Sequence, residues 1–162
     1  AGDAKLHVDG FLAGVKATDP ETQVNVSFTG NFGDTALAAE AANTHIKAGA
    51  DVLTGSSQQV VGAIGVAKEN GVPWLGVQAD QSTVAPETVL ASAIYDWKQL
   101  LKDILAKRAG GVMGGEVLQL TYANGGIRTI YSDALPAEAV AAAKAAEQGL
   151  ADGSITIVAE PR

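Results

Sequence analysis

The chain has no cysteine in its 162 residues. Disulfide frameworks, thiolate nucleophiles and cysteine-based zinc sites are therefore excluded. Aromatic residues are scarce at 5%, so Ala, Val, Leu and Ile must build the core. Lys and Arg total only 11 and are scattered, which leaves no basic footprint for nucleic acid. No apolar run approaches the roughly 18–20 residues that span a bilayer. The two histidines, His7 and His45, stand far apart, so no transition-metal site is expected. The glycine-rich GGVMGG lacks the Lys-Ser/Thr ending of a phosphate loop, and no Gly-x-Ser-x-Gly elbow occurs. No nucleophile, base and orienting group can be assembled, so no enzyme and no cofactor are expected. The opening AGDAKLHVDG lacks the basic-then-apolar order of a secretory leader. On that pattern the chain is either cytosolic or a processed piece. What is present is 47% hydrophobic and 18% charged, with a net charge of −7. That is a globular composition, and the length suffices for one full domain or one and part of another.

The stretch GADVLTGSSQQVVGAIGVAKENGVPWLGVQADQ, from Gly49 to Gln81, carries the most information. It reads strand, polar loop, amphipathic helix, Gly turn, strand, then a polar loop with an acid. That order predicts a parallel α/β sheet, whose ligands bind at the carboxyl ends of the strands. Around it, helical spacing covers His7–Ala17, stopped by Asp19-Pro20. Gln23–Thr29 alternates like a strand. Asp34 is placed to cap a helix over Thr35–Lys47. Ala50–Thr54, Val72–Val77 and Thr88–Ile94 read as further strands, with Ser57 capping a helix from Gln58 to Glu69. Gly62 and Gly65 inside that helix read as close-packing positions. A helix follows over Trp97–Lys107, with Asp96 or Tyr95 opening it. Beyond it, Glu116–Tyr122 and Ile127–Tyr131 flank Asn124-Gly125-Gly126 as a hairpin. Pro136 opens a helix to about Ala151, and Ile155–Val158 reads as a last edge strand.

Four loops then meet at one end of the sheet. They bring Asn31 and Phe32, Gly55, Ser56 and Ser57, Asp80, and Tyr95 and Trp97. Carboxylates accept two hydrogen bonds from vicinal hydroxyls, and aromatic faces suit a flat base or sugar ring. No Lys or Arg lies in these loops, so phosphates are disfavoured. Each feature also has a plain alternative. Asp80 and Asp96 suit capping, Gly55-Ser56-Ser57 an ordinary helix start, and Phe32 and Trp97 packing.

Several stretches in order carry a family likeness: FLAGVKATDPETQVNVSFTGNFGDTALAAEAA (Phe11–Ala42), GADVLTGSS, ENGVPWLGVQADQS (Glu69–Ser82), VLASAIYDW (Val89–Trp97) and LPAEAVAAAKAAEQGLADGSITI (Leu135–Ile157). The chain resembles the basic membrane protein family of bacterial ABC-transporter substrate-binding lipoproteins, whose studied members bind purine nucleosides or related bases. The resemblance implies a two-lobed type I periplasmic-binding-protein fold that closes on its ligand. It implies that Asp80 holds ribose hydroxyls, that Gly55 and Ser56 line the pocket, and that Phe32 occupies an aromatic position. Tyr95 stands where nucleoside binders often carry Lys. Tyr95-Asp96-Trp97 is similar to a branch with Trp near this point, which favours a free base or another ligand.

Full members of the family are about twice this length, their first lobe beginning with segments absent here, so the resemblance implies an N-terminally truncated member. Residues 1–94 would form the ligand-binding α/β lobe, and 95–162 a helix, hairpin and terminal helix of the incomplete other lobe. The implied role is an extracytoplasmic solute-binding protein, periplasmic or lipid-anchored in a bacterium. It would present a purine nucleoside, base or small polar ligand to an ABC permease, and would form homo-oligomers through faces the missing lobe leaves bare. The alternatives are a ligand-sensing regulatory module of the same fold, or a small α/β enzyme using Asp80 and Asp96 as an acid/base pair.

Overall fold

The computed structural model describes residues 2–157. Three short apolar runs make the parallel part of the sheet: β1 (Leu53–Thr54), β2 (Trp74–Gln78) and β3 (Val89–Tyr95). The run Trp74-Leu75-Gly76-Val77 lies in the middle of the sheet, and Trp74 is only 1% exposed. That matches the continuous apolar character of a strand covered on both faces. β4 (Ile127–Tyr131) pairs antiparallel to β3, giving the order β1-β2-β3-β4. The sheet is thus mixed, with helices packed around it.

α2 (Thr35–Lys47) and α3 (Val60–Asn70) form the helical side of the core. In α3, Val60, Ala63, Ile64 and Ala67 point inward at helical spacing. In α2, Ala38 and Ala42 do the same. Together with Leu53, Trp74 and Val89 they make one cluster. Full burial of a side chain such as Ile64 contributes about 1.5–3 kcal/mol. Asp34 caps α2, its Oδ1 accepting from the N–H groups of Ala36 and Leu37 at 3.0 and 3.1 Å. Gly71 closes α3 in the left-handed conformation, φ 65°. The helices come close at Gly62, where an added Cβ would lie 2.0 Å from the carbonyl oxygen of Thr35.

α1 (Gly2–Thr18) begins five residues earlier than the expected His7. α4 (Trp97–Ala109) buries no residue fully, and α5 (Ala137–Asp152) buries only Gly149. Tyr131 ties α5 to β4, its hydroxyl donating to Glu147 Oε1 at 2.5 Å.

Five local expectations are corrected. Residues 23–29 form no strand, and Val26 and Phe28 are 41% and 65% exposed. Alternation fixes which side chains share a face, but a strand also needs a ladder. β1, an edge strand of the sheet, is two residues long and pairs with β2 alone. Ser57 does not cap α3: it adopts φ 72°, and α3 starts after Gln59 without a side-chain cap bond. The hairpin has no ladder, because residues 116–122 are not a strand; a single bond from the Ile127 N–H to Thr121 O at 3.0 Å closes the turn, and β4 pairs with β3. The free edge of β3 offers five paired positions to β4. Gly65 meets nothing within 4 Å and is not a packing contact. Residues 155–157 are not a strand, and Val158 lies outside the described residues. Instead Ile155 folds back, its N–H donating to Gly149 O at 2.9 Å. Of the sequence-based halves, β4 from 95–162 joins the sheet of 1–94.

The two helix glycines should therefore behave oppositely. Gly62→Ala is expected to destabilise by about 1–3 kcal/mol through overpacking against α2. Gly65→Ala is expected to be neutral or to stabilise by up to about 1 kcal/mol through helix propensity. Urea unfolding of the two variants checks both signs.

Candidate functional site

Because β1, β2 and β3 run parallel, their carboxyl ends share one end of the sheet. The loops that leave them begin at Gly55, Ala79 and Asp96. Two residues there, Ser57 (φ 72°) and Gln78 (φ 73°), are the non-glycine residues with positive φ among the described residues. Each such conformation costs about 1–3 kcal/mol and clusters at functional sites. The two are joined: the Ser57 N–H donates to Gln78 Oε1 at 3.1 Å. The Ser57 hydroxyl also donates to the carbonyl oxygen of Ser56.

Beside the first of these loops lies a hollow of about 440 Å³. Its walls are the 27–32 segment, Gly55-Ser56-Ser57, Gln59, the inner faces of α1 and α2, and Trp74. The 27–32 segment is pinned to the start of α3. Thr29 Oγ1 donates to Gln59 Oε1 at 2.8 Å, and the Gln59 N–H donates to Phe32 O at 2.9 Å. Asn31 Oδ1 accepts from the N–H groups of Gly33 and Asp34, which shapes the turn. Phe32 remains 52% exposed. Gly55 permits the strand end to cross Trp74, since a Cβ there would sit 3.1 Å from the indole ring.

Five of the eight residues singled out by sequence thus line this hollow: Asn31, Phe32, Gly55, Ser56 and Ser57. Asp80, Tyr95 and Trp97 do not. Asp80 borders a separate hollow of about 250 Å³ with Ser82, Ser92, Tyr131 and Asp133. Tyr95 and Trp97 meet edge-on, with ring centroids 6.1 Å apart at 81°. Asp96 caps α4, accepting from the N–H groups of Lys98 and Gln99 at 3.0 and 3.2 Å. A larger hollow, about 580 Å³, lies at the other end of the sheet beside Lys68, Gly71 and Glu87. It touches no strand carboxyl end and gathers no group of hydroxyls and amides, so the 440 Å³ hollow is the better candidate despite its size.

Asp80 is held by its neighbour. The Ser82 hydroxyl donates to Asp80 Oδ1 at 2.6 Å and the Ser82 N–H at 3.0 Å. These bonds, the hydroxyl first, keep the carboxyl below its ordinary range. A general acid needs the opposite shift. In His7, burial lowers the imidazole pKa, which favours the neutral ring. His45 Nε2 lies 2.9 Å from the Ser27 hydroxyl. Both imidazoles border the hollow, although their sequence spacing gave no sign of it. Among the described residues no three His, Cys, Asp or Glu side chains come together as a metal site.

Sequence reasoning also missed a buried polar knot. Trp74 Nε1–H donates to Gln81 Oε1 at 2.7 Å, Gln81 Nε2 donates to Val77 O at 2.9 Å, and the Gln81 N–H donates to Ser92 Oγ at 3.2 Å. Gly76 leaves room for it, as a Cβ there would lie 2.6 Å from Ser92 Oγ. No spacing rule pairs a strand Trp with a loop Gln, so only the fold reveals the contact.

The family model described as ABC transporter substrate-binding protein PnrA-like (Bmp) matches residues 4–159. The chain belongs to this family. Basic membrane protein D of Borreliella burgdorferi (strain JD1) is 28% identical over 131 residues, covering 78% of this chain and 38% of that protein. A purine-binding protein of Brucella abortus (strain 2308) is 28% identical over 108 residues, covering 67% and 29%. Among solved structures, a transcriptional activator of the comK gene from Bacillus halodurans superimposes with a TM-score of 0.83 at 21% identity, over 91% of this chain and 53% of that one. An ABC transporter system solute-binding protein from Conexibacter woesei DSM 14684 gives 0.76 at 25% identity, over 96% and 53%. The chain therefore spans about a third of those curated relatives and about half of those solved chains. Its mixed sheet with flanking helices is consistent with one lobe of a type I periplasmic binding protein.

Within this Bmp-family lobe, Ser82→Ala should raise the Asp80 pKa towards the ordinary carboxylate value. The depressed value stabilises the fold above the unfolded pKa, and that contribution is lost as pH falls through the folded one. Side-chain carboxyl ¹³C shifts against pH in the two proteins read the change directly; an unmoved titration would refute the assignment.

Proposed function

We propose that this chain is the solute-holding part of an extracytoplasmic binding protein that delivers a purine nucleoside or related base to an ABC permease. The observation that carries the reading is the convergence of Asn31, Phe32, Gly55, Ser56 and Ser57 on one hollow at the carboxyl ends of parallel strands. The purine-binding relative supports the ligand class. The exposed Phe32 ring offers a face for a flat base. Ser56 and Ser57 offer hydroxyls, and Gly55 admits close backbone approach. Three residues outside the hollow's lining also take part: Asp80, ionised on the loop after β2, accepts from ribose hydroxyls that project beyond the hollow, and Tyr95 and Trp97 supply apolar edges. Residues 1–94, together with β4, act as the ligand lobe, and the rest of 95–162 returns towards a second lobe. One lobe covers a solute on one side only, so affinity is modest, about −4 to −8 kcal/mol or millimolar to micromolar.

Calorimetry with adenosine, guanosine, inosine, adenine and pentoses tests this. At least one purine should bind, and Phe32→Ala should weaken it about tenfold, the worth of an aromatic stacking contact. Asp80→Ala should weaken nucleosides more than free bases. Silence across the purines would sink the proposal.

A sensing role is the second reading, favoured by the close fold match to a transcriptional activator. A permease and ATPase encoded beside this gene argue for transport; a regulatory gene argues for sensing.

The apolar side chains Leu101, Ile104 and Leu105 of α4, with Met113 and Val117, are exposed. We propose that a second copy covers them in solution. Sedimentation should show mass rising with concentration, and a monomer at every concentration would refute this.

A further inference from the structure

Among the described residues, one buried side-chain nitrogen or oxygen has no hydrogen-bond partner: Nε2 of His7. His7 sits on α1 and borders the same hollow as Phe32 and Ser57. Buried polar atoms are almost always paired, and an exception needs a physical account, such as a water, an ion or a bound group. Two of the other polar groups at the hollow are already engaged within the chain. His45 Nε2 is bonded to Ser27, and Thr29 to Gln59. The Phe11 ring, 6.4 Å away and tilted by 39°, flanks the imidazole.

We propose that His7 is a ligand-contacting residue, whose Nε2 makes one hydrogen bond with a hydroxyl or ring nitrogen of a neutral, hydroxylated or heteroaromatic solute in this hollow. Neutral imidazole carries one donor and one acceptor nitrogen, so the tautomer sets the direction of that bond. The inference rests on the binding role proposed above. It adds a contact from α1, an element outside the strand-end loops. A solute held by both would meet α1 and the strand-end loops together.

The test follows the imidazole ¹⁵N resonances of the whole chain by NMR, with His45 as the internal comparison. Two panels are titrated. One contains adenosine, inosine and adenine; the other contains pentoses, polyols, uridine and amino acids. A shift of His7 Nε2 with a purine is the expected result. His7→Phe should then weaken that solute about tenfold, as for one hydrogen bond left unmade, while His7→Gln keeps it through its amide. A His7 shift with the second panel alone upholds this contact and removes the purine assignment. Purine binding that leaves His7 Nε2 unmoved and is unaffected by His7→Phe overturns the contact while the purine assignment stands. No shift from any solute of either panel also overturns it. The wild-type titration decides the matter even where His7→Phe fails to fold.

Discussion

The indole N–H of Trp74 is the contact on which the rest of this molecule depends. A Trp at the centre of a sheet contributes more buried area than any other residue in a core of Ala, Val and Leu. Its one polar atom must be satisfied, or burying it costs about 1–3 kcal/mol. Gln81 satisfies it by folding the loop after β2 back over the strand, where Ser92 of β3 and the carbonyl of Val77 complete the set. The same ring forms a wall of the hollow and runs beneath Gly55. One side chain thus couples the packing of the sheet, the path of the Asp80 loop and the shape of the candidate site.

Strain is concentrated at the same end. Ser57, on the loop after β1, and Gln78, the last residue of β2, hold left-handed conformations and are tied to each other by a backbone-to-amide bond. Turn-forming glycines elsewhere reach such conformations without a Cβ penalty. Here serine and glutamine do so, which keeps a hydroxyl and an amide at the strand ends where glycine would offer neither.

Much of the fold was legible because it follows from local chemistry. Asp34 before an Ala-rich amphipathic stretch specifies α2 and its cap, and the Asn70-Gly71 pair specifies the end of α3. The errors arose where a partner decides the outcome. The alternation of Val24, Val26 and Phe28 says nothing about whether an edge is long enough to pair with it. IRTIY finds its ladder on β3, while EVLQLTY forms no strand for it to pair with. For the site, the Gly55-Ser56-Ser57 and Asn31-Phe32 loops were found because they follow the α/β grammar. His7 was not, since its place at the hollow comes from burial and from elements distant in sequence. Asp80 was identified as an acid at a strand end, but its first neighbour is Ser82, two residues away, a short Asx-type contact.

The seat of the Thr35 carbonyl against Gly62 sets more than a helix crossing. Backbone meets backbone there, so α2 and α3 have a single register, and a slip of one position would press Val61 or Ala63 into the same place. Both helices frame the hollow. Its dimensions are accordingly governed by main-chain geometry, while its chemistry is written by side chains on loops outside that crossing. Such a division lets substitutions in the loops retune what the lobe recognises without altering the size of the chamber that receives it.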